Sequence, residues 1–129
     1  MHVGDLIFFY GSLRPPFDTQ RRIGIASMVR HLGPARVRGA LHDLGAYPAL
    51  TVGTGIVAGD LYEIIDGRLA DVLDPFEGFD PTNHAASRYV RERVDLVTPA
   101  GVAWVYRHRR TLGSSPIVAS GDWVCLLYT

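Results

Sequence analysis

This chain of 129 residues contains no lysine; its thirteen basic side chains are all arginine. That excludes Schiff-base chemistry and a lysine general base. Glutamate is scarce too, with only Glu63, Glu77 and Glu92 present. A single cysteine, Cys125, rules out an internal disulfide and points to a reducing cytoplasm. It lies in the apolar run Trp123 to Leu127 and reads as a buried, inert thiol. The net charge is zero, which argues against a dedicated nucleic-acid or anionic-membrane binder. No apolar run approaches the length of a membrane span, and the N-terminus has neither the basic segment nor the apolar stretch of a signal peptide. Five histidines lack metal-ligand spacing. No Gly-x-Ser-x-Gly motif, P-loop or dinucleotide fingerprint occurs. Neither metal nor cofactor is expected.

What remains is one globular domain, 1–129, large enough to bury roughly two-thirds of its unfolded surface. Residues 5–10 read as a strand, followed by a Gly/Pro-broken loop. Residues 19–31 are expected to be helical. Residues 37–44, 49–52 and 56–64 read as extended, the last two pieces separated by Gly53-Thr54-Gly55. Leu69, Val72, Leu73 and Phe76 are spaced as one face of a short helix, 68–77. Tyr89 to Thr98 and Val102 to His108 alternate around Pro99-Ala100-Gly101 as a hairpin. A last strand is expected over 122–128. About six strands and two helices, with links too short for parallel crossovers, give an α+β fold with a mostly antiparallel sheet.

Glu77 stands out. It ends the 68–77 helix, where Gly78 is placed to stop it. A carboxylate there opposes the helix dipole, and Phe76 and Phe79 should partly desolvate it. Both effects would raise its pKa. A solvated helix-end glutamate fits the same residues. The loop Tyr10-Gly11-Ser12-Leu13 follows the first strand; its backbone N–H groups can converge on a carboxylate or phosphate, or simply form a turn. In the strand from Tyr89, alternation puts Tyr89, Arg91 and Arg93 on one face, where the tyrosine could present its hydroxyl to a ligand or the arginines could pair with acids. His84, after Glu77, is expected to be exposed.

Tyr10-Gly11-Ser12-Leu13, Phe76-Glu77-Gly78, Tyr89-x-Arg91 and Gly121-Asp122-Trp123, in this order, resemble the gamma-glutamylcyclotransferase-like family. The resemblance covers nearly the whole chain. It implies a small antiparallel β-barrel flanked by helices, with a cavity at one side. It further implies that Gly11, Ser12 and Leu13 hold the α-carboxylate of a γ-glutamyl group, that Glu77 is the acid/base, and that Tyr10 and Tyr89 line the pocket. The implied reaction converts a γ-glutamyl amine to 5-oxoproline and a free amine without a cofactor. The leaving amine is left open, and residues 80–87 are expected to shape its side of the pocket. Two other classes fit the same features: a non-catalytic binder of a small carboxylate-bearing metabolite, for which Glu77 would merely hold an ammonium, and a small interaction domain.

Overall fold

The computed structural model describes residues 1–109, 112 and 115–128, without the side chains of 125, 127 and 128. The burial expected for Cys125 therefore lies outside what is described. Five strands, β1 (Leu6–Phe9), β2 (Val29–Asp43), β3 (Pro48–Ile64), β4 (Tyr89–Thr98) and β5 (Val102–His108), close into a barrel in the order β1-β3-β2-β4-β5. Every neighbouring pair is antiparallel except β1 with β5, which run parallel and meet at Ile7 and Trp104. Among the described residues three α-helices accompany the barrel: α1 (Thr19–Arg22), α2 (Leu69–Glu77) and α3 (Trp123–Tyr128). None is long and apolar enough to cross a membrane, among the described residues.

Alternation in β1 and β5 shows how the barrel is filled. Phe8, Tyr10, Ala103 and Val105 join Val37, Leu41, Val57, Leu61 and Leu96 in a core fed by all five strands, with Val118 and Trp123 packed into it. The opposite faces, through Ile7, Phe9 and Tyr106, form a second core with Leu69 and Leu73 of α2. Strands buried on both faces need near-continuous apolar sequence, which β1 supplies.

Three expectations are corrected. Helix over 19–31 reduces to α1: Gly24 has φ +83°, and the chain from Val29 pairs with Ile64 as the start of β2. The extended pieces 49–52 and 56–64 are one strand, interrupted where the pairing steps from Ala40↔Thr51 to Arg38↔Ile56 in a bulge. The expected last strand is α3. The barrel is already closed by β1 and β5, and the end of β2 beyond β4 is taken by the segment before this one, which bridges His42 at Ile117. Instead the Asp122 carbonyl accepts the Leu126 N–H and opens a helix. The expected count of about six strands thus becomes five among the described residues.

Candidate functional site

A cavity of about 640 Å³ opens where the end of β1, the tip of the β2–β3 hairpin, the end of α2 and the start of β4 meet. Its walls include all six residues singled out from the sequence: Tyr10, Gly11, Ser12, Leu13, Glu77 and Tyr89.

Glu77 reaches this cavity because α2 stops there. Gly78 takes φ +68°, a conformation open to glycine at little cost. Its N–H donates to the Pro75 carbonyl at 3.1 Å, and the Phe79 N–H donates to the Asp74 carbonyl at 2.8 Å. These two bonds form a Schellman closure, secured by packing of Phe79 in the core that holds Leu73. Phe76, expected on the buried face, is instead 44% exposed and lines the cavity. Burial raises the Glu77 carboxyl from its ordinary 4.5 to about 7. No hydrogen bond or ion pair holds that carboxyl among the described residues.

The facing loop is fixed by its carbonyls, which leaves N–H groups free. Arg14 N–H donates to the Gly11 carbonyl at 3.1 Å, and Gln20 Nε2 donates to the Leu13 carbonyl at 2.6 Å. The N–H groups of Ser12 and Leu13 have no acceptor among the described residues. Arg14, with an 11% exposed side chain, bridges Asp60 and Asp122 at 2.8 Å each. The Gly121-Asp122-Trp123 segment is therefore a latch on the loop: Asp122 holds Arg14, and Trp123 fills the barrel core.

The tyrosines are structural at their hydroxyls. Tyr10 Oη donates to the Tyr106 carbonyl at 2.6 Å and accepts the Leu50 N–H at 3.3 Å. Tyr89 Oη donates to the Pro48 carbonyl at 3.2 Å, and Tyr106 Oη to Asp74 Oδ1 at 2.6 Å. Tyr89 lines the cavity as expected, and its hydroxyl gives its proton to the Pro48 carbonyl, which uses the donor and not the acceptor side of that oxygen. All three phenols are raised above their ordinary range, mainly by burial and partly by the nearby Glu77 charge. All three tyrosines share the cavity lining with Glu77.

Other expectations sort as follows. Arg91 pairs with Asp74 at 3.4 Å, while Glu92 pairs with Arg107, so neither belongs to the cavity wall. In the 80–87 loop, Asn83 caps a short 3-10 turn and His84 is exposed against the Phe79 ring. Only Ala86 of that loop lines the cavity. Sequence reading missed Tyr47, Pro48, Arg88 and Tyr106, which also line it. Tyr47 and Pro48 arrive by the hairpin tip, a contact that strand periodicity does not encode. Arg88 carried a faint signal as the charged neighbour of Tyr89.

Comparison with known proteins agrees with this geometry. The family described as gamma-glutamyl cyclotransferase, AIG2-like, matches residues 7–125, a span from β1 into α3. The gamma-glutamylcyclotransferase family protein YtfP of Escherichia coli K12 is 30% identical over 118 residues, covering 92% of this chain and 95% of that protein. The solution structure of ytfP from Escherichia coli aligns with a TM-score of 0.66 at 32% identity, covering 92% of this chain and 96% of the other. An AIG2-like protein from Mus musculus shares the fold, with a TM-score of 0.66 at 19% identity, covering 90% and 86% of the two chains. The barrel, the order of motifs along it and these matches establish that the chain belongs to the AIG2-like gamma-glutamyl cyclotransferase family.

Proposed function

We propose that this protein converts a γ-glutamyl amine to 5-oxoproline and a free amine, with Glu77 as the single general acid and base. One observation carries the reading. A carboxyl that burial pushes up to about 7 shares a cavity with the N–H groups of Ser12 and Leu13, and neither it nor they have a hydrogen-bond partner among the described residues. A γ-glutamyl group presents a carboxylate and an ammonium on one carbon, and those two elements complement them.

In the proposed sequence the N–H groups of Ser12 and Leu13 bind the α-carboxylate. The ionised Glu77 takes a proton from the α-ammonium. The freed amine attacks the γ-carbonyl carbon, closing a five-membered ring. Glu77 returns its proton to the leaving nitrogen, and the bond from the γ-carbon to that nitrogen breaks. The ring nitrogen gives up its second proton as the lactam forms, and the departing amine takes up one proton. The nucleophile is tethered to its electrophile, so orientation and proton transfer are the work left to the protein. A pKa near neutrality suits a group that must both accept and donate. The committed tyrosine hydroxyls support assigning both transfers to Glu77.

The test is 5-oxoproline release from a panel of γ-glutamyl amines, with Glu77→Gln beside the wild type. Turnover by the wild type and its loss in the variant are expected. Binding without turnover would favour the carboxylate-binding alternative. Near-normal turnover by Glu77→Gln would move the role to another group.

A further inference from the structure

We propose that Arg88, steadied by Tyr47, is a specificity-determining residue that selects leaving groups carrying a carboxylate near the scissile nitrogen. This rests on the cyclotransferase reading and adds to it a side of the site that Glu77 and the Ser12–Leu13 amides leave unexplained. Among the described residues that line the cavity, Arg88 is the one cation and Glu77 the one acid. Three other arginines are paired with acids, Arg91 with Asp74, Arg107 with Glu92, and Arg14 with Asp60 and Asp122, while the Arg109 guanidinium donates to the Ser87 carbonyl and does not line the cavity. Arg88 has no acidic partner among the described residues.

Arg88 is nevertheless held in place. Its Nη1 donates to Tyr47 Oη at 2.8 Å, and the Tyr47 ring stands edge-on to Tyr89 at 6.4 Å. Its carbonyl accepts the Arg109 N–H at 3.0 Å, which fixes the backbone beneath it. Arg88, Tyr89 and Glu77 line the same cavity, with Tyr47 beside them. With the α-amine of a substrate at Glu77, the leaving nitrogen lies beyond the γ-carbonyl. An α-amino acid in that position carries its carboxylate two bonds past the nitrogen. A guanidinium fork can grip such a carboxylate and would repel a second ammonium, as on a diamine.

Three matched probes test this: γ-glutamylalanine, its uncharged alaninamide counterpart and γ-glutamyl-diaminobutane. 5-Oxoproline release gives kcat/KM for the wild type, Arg88→Met and Arg88→Lys. Calorimetric binding of the same probes is measured in the Glu77→Gln background with and without Arg88→Met. The wild type should prefer the carboxylate probe over the amide and the diamine. Arg88→Met should lower that preference by roughly 10- to 100-fold, with Arg88→Lys intermediate. A uniform loss across all three probes would indicate a structural role and overturn the proposal. So would a wild type that does not distinguish them. Charge-selective binding without turnover would overturn the cyclotransferase reading and keep Arg88 as the selector. Absence of both binding and turnover would overturn both.

Discussion

At the residue scale, Glu77 is set apart by what its neighbours do not offer it. Tyr10, Tyr89 and Tyr106 share its cavity, yet each hydroxyl donates to a carbonyl or to Asp74. The carboxyl is buried enough to rise to about 7 and has no donor among the described residues, which keeps it available to a ligand. Glu77→Gln preserves shape but cannot exchange a proton, so turnover should fall by ~100- to 10,000-fold, towards the upper end if one group makes both transfers. Glu92→Gln, paired with Arg107 away from the cavity, is the control and should stay near wild type. For the wild type, kcat/KM should climb with pH through about 7 as Glu77 becomes the base; a flat profile from pH 5 to 8 would rule out that assignment. Across the cavity, the amide resonances of Ser12 and Leu13 should move on titration with a γ-glutamyl compound in an NMR spectrum. Unmoved Ser12 and Leu13 peaks at saturation would remove the proposed carboxylate cradle.

At the scale of elements, a turn or cap decides where each functional group arrives. The least tolerant position is Gly121. It has φ +67°, and a Cβ there would lie 2.0 Å from the Ile56 carbonyl oxygen. Its own carbonyl accepts the Ala58 N–H at 2.7 Å, tying the start of α3 to β3. Gly121→Ala should therefore lower stability by about 2–4 kcal/mol, or roughly 10 °C in melting temperature. It should also loosen the Asp122–Arg14 latch and weaken γ-glutamyl binding. Gly67→Ala, with no strained φ and no close contact, should melt within a few degrees of the wild type; equal melting of the two variants would refute the role given to Gly121. These elements also show what the sequence could express. The 69–77 helix and the 89–108 hairpin were legible because periodicity and a terminating glycine agree. The apolar run from Trp123 to Leu127 was not, since an apolar stretch of that length suits a strand or a buried helix equally. The tertiary setting decides between them: the 116–118 segment takes the end of β2 at His42, and the chain after Gly121 turns into a helix. The 19–31 segment misled for the same reason: its helical spacing is real, but Gly24 and the pairing of Val29 with Ile64 override it.

At the scale of the whole molecule, the barrel brings together residues from distant parts of the chain. The loop after β1 and the end of α2 were both visible as short motifs. Their meeting, and the contributions of Tyr47 and Arg88, depend on barrel closure, which local sequence does not state. The preformed cavity has an energetic consequence for Glu77. The unfolded chain ionises this carboxyl at its ordinary 4.5, whereas the fold holds the proton until about 7. Below 4.5 both states are protonated, and Glu77 has no effect on the pH dependence. Between 4.5 and about 7 the unfolded state releases the proton first, so stability falls as pH rises. Above 7 the loss is complete and amounts to about 3 kcal/mol as an upper figure. Asp5, Asp66 and Asp80 are lowered by their hydrogen bonds and act in the opposite sense, but in the acid range below this window. Comparing the wild type with Glu77→Gln isolates the effect. The two should unfold in urea at similar midpoints at pH 4.5, and the variant should become progressively the more stable up to about pH 7.5. A gap that stays constant across that range would mean that Glu77 titrates normally in the folded protein, and the base proposed for the reaction would then lack its matched pKa.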